Sequence, residues 1–187
     1  EAGFLAVHVL VTTGKGSVVA YLEAAFRAAG LAYGAYTSPH LVDFRERIRT
    51  PLGPVPREAV VRFVAWAREE AWEEPPGFFD LATALAFLHF RERGVALAAV
   101  EAGVGGEKDA TNALSRVALT VLTNVGEDHL EALGGTLEAV AREKAGIFRG
   151  GVPALTAAQG EGLGVLRAEA LARKTPLWVL GEDFHAE

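Results

Sequence analysis

Short apolar runs alternate with amphipathic stretches along the whole chain, the pattern that βαβ units around a parallel sheet produce. Phe4–Val11 is continuously apolar and of strand length, which predicts a buried strand. It leads through Thr12–Ser17 into a stretch where Val18, Leu22, Ala25, Phe26 and Ala29 recur at helical spacing, with Gly30 placed to end the helix. Ala32–Tyr36 predicts a second short strand, followed by a turn at Thr37–His40. Thr50–Pro56 carries Pro51, Gly53, Pro54 and Pro56 and predicts a loop. Helical period returns over Arg57–Glu74 through Val60, Val64, Ala67 and Ala71, until Pro75-Pro76-Gly77 breaks it. Phe79–Arg93 is apolar almost all round, which predicts a buried helix stopped by Gly94. Further strands are predicted at Ala96–Val100, Val117–Thr123, Val152–Leu155 and Leu177–Leu180, with helices at Thr136–Ala145 and Gly162–Lys174. The chain carries no internal repeat, low-complexity tract or linker. Residues 1–187 therefore read as a single domain of the α/β class, doubly wound around a mostly parallel sheet.

Composition narrows the class. The 187 residues are 50% hydrophobic and 22% charged, which excludes disorder, collagen and coiled coil. The net charge is −6 with no block of like charge, which argues against a nucleic-acid groove or an anionic membrane surface. Disulfides and thiolate metal sites are excluded by the absence of Cys. No apolar run approaches the ~20 residues of a membrane span, and no basic region precedes Phe4. A soluble, cytoplasmic protein is expected. Methionine is also absent, so Glu1 is not a translation start and the chain is expected to be a piece of a longer one. Asn occurs twice and Gln once, a scarcity that thermophily and genome base composition both produce.

In an open parallel sheet, ligands bind outside the carboxyl ends of the strands, and here those ends carry the polar residues. Thr12-Thr13-Gly14-Lys15-Gly16-Ser17 follows the first strand and opens a helix. Its glycines allow backbone to wrap an anion, helix N–H groups point at it, and Lys15 adds a full charge. The other reading is a glycine-rich turn with a solvated lysine. The second strand ends in Thr37-Ser38-Pro39-His40, which is either an ordinary turn or a hydroxyl facing the phosphate loop. Ala96–Val100 ends in Glu101, ahead of Gly103-Val104-Gly105-Gly106. A carboxylate closing an apolar strand is costly to bury unless paired or bound to a cation, and near a phosphate chain it suits Mg²⁺. His129 follows the strand Val117–Thr123 and is either a loop histidine bonded to Asp128 or a ligand. Lys144 shares a helical stripe with Leu137, Val140, Ala141 and Phe148, so it projects from the buried face. Such a lysine either snorkels out, becomes neutral, or is modified, for example by CO₂ to a carbamate that offers oxygen ligands.

Taken together these residues resemble the folylpolyglutamate synthase/dihydrofolate synthase family, a branch of the Mur-type ATP-dependent amide ligases. The resemblance runs from His8 to about residue 153 through five motifs in family order. They are Gly14-Lys15-Gly16-Ser17, Thr37-Ser38-Pro39-His40-Leu41 with Glu46-Arg47-Ile48, Glu101 to Gly106 with Asp109-Ala110-Thr111-Asn112, Gly126-Glu127-Asp128-His129, and Glu143-Lys144-Ala145-Gly146-Ile147. Phe79-Asp80 before Thr83 belongs to the same set. The chain departs from the family's usual pattern at Val11, Thr13 and Glu107. Val11 adds bulk where backbone approaches phosphate, and Glu107 stands in place of an arginine.

The resemblance implies a Mur-ligase-like central ATPase domain of P-loop type, without the family's further N-terminal segment and C-terminal glutamate-ligase domain. It implies that ATP phosphorylates the carboxylate of dihydropteroate or a folate, and that L-glutamate then displaces phosphate. Thr12, Thr13, Gly14, Lys15, Gly16 and Ser17 would bind the nucleotide, with Lys15, His129 and Lys144 catalytic. Ser38, Glu101, His129 and a carbamoylated Lys144 would hold Mg²⁺. Arg47, Gly77, Phe78, Phe79, Asp80, Lys108 and Asp109 would line the pterin or folate pocket, in a monomer. A cell-wall Mur ligase and a non-catalytic nucleotide-binding module are the alternatives.

Overall fold

A computed structural model describes residues 3–10, 15–104, 106–125 and 136–185. Among them are eight strands and five α-helices. In chain order these are β1 (Leu5–Leu10), α1 (Lys15–Ala28), β2 (Tyr33–Tyr36), β3 (Ile48–Thr50), β4 (Gly53–Pro54), α2 (Arg57–Glu69) and α3 (Phe78–Glu92). Then follow β5 (Leu97–Glu101), β6 (Val117–Leu122), α4 (Leu137–Lys144), β7 (Ala154–Thr156), α5 (Gly160–Arg173) and β8 (Leu177–Val179). One sheet holds all eight strands in the order β4-β3-β2-β5-β1-β6-β7-β8. Pairing is parallel from β2 through β8, and antiparallel where β3 meets β2 and β4.

Strand alternation divides the core into layers. On β5, Ala98 and Val100 join Phe4, Tyr36, Leu85 and Phe90 beneath α2 and α3, whereas Ala99 joins Val7, Val9, Val19 and Phe26 beneath α1. Leu10 and Leu122 join Ile147 and Leu166 beneath α4 and α5. Helices therefore cover both faces, as the alternating pattern predicts, and both neighbours of β1 are reached by crossovers. Gly34 of β2 is needed for this packing, because a Cβ there would lie 2.7 Å from the buried Phe90 ring.

Two stretches differ from the sequence reading. The expected loop Thr50–Pro56 is a tight hairpin, turning through Pro51 and Leu52 into Gly53 with φ 103° and carrying β4 at the sheet edge. Pro54 is tolerated there because an outer edge strand has no partner for the N–H it lacks. The helix expected over Arg57–Glu74 stops at Glu69, and Glu70 is already extended with ψ 138°. Trp72 then folds back, donating from its indole nitrogen to the Ala67 carbonyl at 2.8 Å and meeting Trp66 edge-on at 5.9 Å. That contact outweighs the apolar period continued by Ala71.

Candidate active site

The carboxyl ends of β1, β2, β5 and β6 face the same side of the sheet, because these strands run parallel. There β1 leads toward α1, whose first turn holds Gly16 and Ser17, both exposed, and contains no acidic residue. Thr12, Thr13, Gly14, the Lys15 side chain and His129 lie outside the described residues. At the end of β5, Glu101 is 1% exposed, and its Oε2 accepts the backbone N–H of Ser38 at 3.3 Å. The structure therefore brings together two of the four residues expected at the metal. Lys144, the third, is buried at 2% exposure in the last turn of α4, as the helical stripe requires. A nearly buried carboxylate beside a hydroxyl-bearing residue is a hard oxygen set of the kind Mg²⁺ takes.

A cavity of about 540 Å³ opens beside this pair, lined by Ser38, Pro39, Arg47, Phe79, Asp80, Gly103, Val104, Lys108, Asp109, Ala110 and Glu143. Five of the seven residues expected at the substrate pocket thus line it. Phe78 and Gly77 do not. Phe78 sits one residue round α3 and lines a separate apolar cavity of about 220 Å³ with Phe44, Phe63 and Leu85. Its ring carries the Arg47 guanidinium at 5.3 Å, so it supports the pocket from behind. Gly77 caps α3 by donating its N–H to Asp80 Oδ2 at 2.8 Å.

Hydrogen bonds and ring contacts fix the side chains of the pocket wall. Arg47 is 8% exposed and donates from Nε to His40 Nδ1 at 2.8 Å. It closes a short 3₁₀ turn, Phe44–Arg47, that begins with a capping box: Asp43 accepts from the Arg45 amide, and Glu46 accepts from the amides of Leu41, Val42 and Asp43. The Arg45 guanidinium, with the Arg45 amide behind it, holds the Asp43 carboxyl at about 2, and the amides of Leu41, Asp43 and Val42 hold the Glu46 carboxyl below its usual range. Phe79 stacks on Tyr36 at 6.0 Å, and burial pushes the Tyr36 hydroxyl up to about 12 while it meets Thr83 Oγ1 at 3.1 Å.

The glycine-rich segment after β5 is a packing device. A Cβ on Gly106 would collide with the Glu143 carbonyl and come within 2.8 Å of the Lys144 carbonyl, and a Cβ on Gly146 would strike the Glu107 backbone. The two segments therefore touch backbone to backbone. Asn112 seals the junction, donating from Nδ2 to the carbonyls of Gly106, Glu107 and Gly146. The Glu107 side chain turns outward toward Arg173, 3.7 Å away, and borders a second cavity of about 350 Å³ with Arg142 and Glu143. It does not line the first.

The Mur ligase middle domain model matches residues 76–176, more than half of the chain. Human mitochondrial folylpolyglutamate synthase is 40% identical over 182 residues, covering 92% of this chain and 31% of that protein. The chain belongs to the folylpolyglutamate synthase/dihydrofolate synthase family of Mur-type ligases. Two solved structures of the family superpose closely. E. coli FolC in complex with DHPP and ADP gives a TM-score of 0.85 at 32% identity, over 96% of this chain and 42% of that one. The bifunctional folylpolyglutamate synthase/dihydrofolate synthase of Yersinia pestis, complexed with AMPPNP and Mn ion, gives 0.88 at 29% identity, over 97% and 44%. The chain thus spans less than half the length of each of these family members. Among its described residues no helix is long and apolar enough to cross a membrane.

Sequence reasoning missed three contributors to the folylpolyglutamate synthase-like site. The Asp43-x-x-Glu46 spacing is a capping-box signal that would have located the 3₁₀ turn. Glu143 was visible only as part of a motif, although it lines the cavity and accepts from the Gly106 N–H at 3.4 Å. His8, fully buried in mid-strand, opened the stretch that resembles the family but was given no role.

Proposed function

We propose that this chain is the ATP-binding part of a cytoplasmic, monomeric ligase that joins L-glutamate to dihydropteroate, tetrahydrofolate or both through an acyl phosphate. The observation that carries the reading is the shared position of Ser38, Glu101 and the 540 Å³ cavity at one end of the parallel sheet, beside the start of α1. ADP, an ATP analogue and DHPP in the structural relatives support it.

In this reading Lys15 and the amides of residues 12–17 hold the nucleotide phosphates at the α1 N-terminus. Ser38, Glu101, His129 and carbamoylated Lys144 hold Mg²⁺, which supplies charge neutralisation around the transferring phosphoryl group. Arg47, Phe79, Asp80, Lys108 and Asp109 orient the acceptor so that its carboxylate reaches the phosphoryl group. Arg47 and Lys108 complement an anionic acceptor. Phe79 offers a flat apolar wall for an aromatic ring, with Gly77 and Phe78 supporting it from behind. The amine of glutamate then attacks the activated carbonyl and phosphate departs.

The test is ADP release by the full-length protein with Mg²⁺, ATP and either dihydropteroate or tetrahydrofolate. Release that requires both L-glutamate and a pteridine acceptor is expected. Nucleotide binding by calorimetry without glutamate-dependent release would refute ligase activity.

A further inference from the structure

β1 sends Ala6 and Leu10 into two different apolar clusters on one face of the sheet, and His8 lies between them on that same face, fully buried. Its Nε2 lies 2.7 Å from Thr111 Oγ1. The Thr111 hydroxyl donates in turn to Asp109 Oδ1 at 2.5 Å, and the Thr111 amide donates to the same oxygen at 3.0 Å. Asp109 Oδ2 accepts the Gly103 N–H at 2.7 Å. Asp109 and Gly103 both line the 540 Å³ cavity.

Directions in this chain are determined by chemistry. A carboxylate oxygen only accepts, so the Thr111 proton points to Asp109 and the Thr111 oxygen accepts from His8. The His8 proton must then sit on Nε2, leaving Nδ1 bare, and Nδ1 is the atom that finds no partner among the described residues. Two donors saturate Asp109 Oδ1, and Gly103 takes one lone pair of Oδ2. Among the described residues that leaves a single lone pair, on Oδ2, for a donor entering the cavity.

We infer that His8 is a positioning residue for the acceptor pocket, fixing through Thr111 which oxygen of Asp109 is offered to an N–H group of the substrate. The inference rests on the ligase reading only for the identity of that substrate. Burial holds the imidazole neutral, down to about 3, so the relay keeps one direction across the whole working pH range. Neither His8 nor Thr111 lines the cavity, so both act through Asp109 and the Gly103 amide.

Three variants of the full-length protein test this. Thr111→Val keeps the shape of the side chain and deletes the relay. His8→Leu deletes its donor, and His8→Gln returns an amide N–H at the same reach. In Thr111→Val and His8→Leu the KM for the pteridine acceptor is expected to rise about five- to tenfold, with KM for ATP unchanged, and His8→Gln to recover most of the loss. Hydrogen exchange at the Gly103 amide should accelerate in the first two variants relative to the amides of β6. A purely structural role would lower the active fraction, and so kcat, without separating the two KM values. An acceptor KM unchanged in Thr111→Val overturns the inference. If the wild type shows no pteridine-dependent turnover, the ligase reading fails instead, and Gly103 exchange decides the relay alone: unaltered exchange overturns it.

Discussion

Replacing His8 by Gln should remove a defined part of this protein's acid sensitivity. His8 is 0% exposed, and burial, reinforced by the nearby Arg149 guanidinium, lowers its pKa from 6.5 to about 3. Between those values the unfolded chain binds a proton that the folded chain refuses, so stability rises with pH across the window. The native state is therefore fully stable with respect to this group above about pH 6.5 and loses stability as pH falls, levelling off only near the folded value. Each pH unit inside the window is worth about 1.4 kcal/mol, so about 2 kcal/mol should be gone at pH 5. His89 acts in the same direction, since burial lowers it too, and a wild-type measurement alone would mix the two. The difference between wild type and His8→Gln isolates His8. Urea unfolding of the chain at pH 7.5, 6.5, 5.5 and 5.0 supplies it, and the gap between the two proteins should shift by about 2 kcal/mol over that range. Parallel stability curves would refute the reasoning, because they would mean that His8 takes up its proton without unfolding.

Further tests address the packing and the site. Gly106→Ala should lower stability by about 3 kcal/mol, read as a drop in Tm, because the Glu143 and Lys144 carbonyls must part from the loop. An unchanged Tm would show that the loop is not packed there. Gly34→Ala, against the Phe90 ring, should cost about 1–3 kcal/mol in urea unfolding, and a neutral result would deny that Phe90 is fixed. Glu101→Gln should cut Mg²⁺-dependent ATP turnover of the full-length protein about 100-fold while circular dichroism stays native; retained turnover would remove Glu101 from the metal site. Lys144→Ala should abolish turnover and regain part of it with short carboxylic acids that replace carbamate oxygens, whereas full activity without them would exclude the carbamate. Arg47→Lys, which loses the guanidinium over the Phe78 ring and the Nε donor to His40, should raise acceptor KM about tenfold without changing KM for ATP.

The parallel strands and their helices were legible because each buries a continuous or period-matched apolar face, and that requirement is local. Phe4–Val11, Ala96–Val100 and Val117–Thr123 could hardly be anything but buried strands, and α3 declared itself by being apolar on every side. The position of Glu101 at a strand's carboxyl end was equally readable, since an isolated charge closing an apolar run marks a strand end. Long-range contacts were not readable. β3 and β4 are too short and too rich in proline to show a period, and they exist because β2 offers them an edge. Phe78 and Phe79 are neighbours of the same chemical type, and only the rotation of α3 sends Phe79 into the cavity beside Ser38 and Phe78 beneath Arg47. Glu107 stands where the family's usual pattern has an arginine, and only the backbone contact of Gly106 with the end of α4 turns its side chain toward Arg173. The relay from His8 spans 103 residues to Thr111. No local pattern encodes a hydrogen bond of that reach, because its partners meet only once the chain beyond β5 has brought the 109–112 turn against the middle of β1.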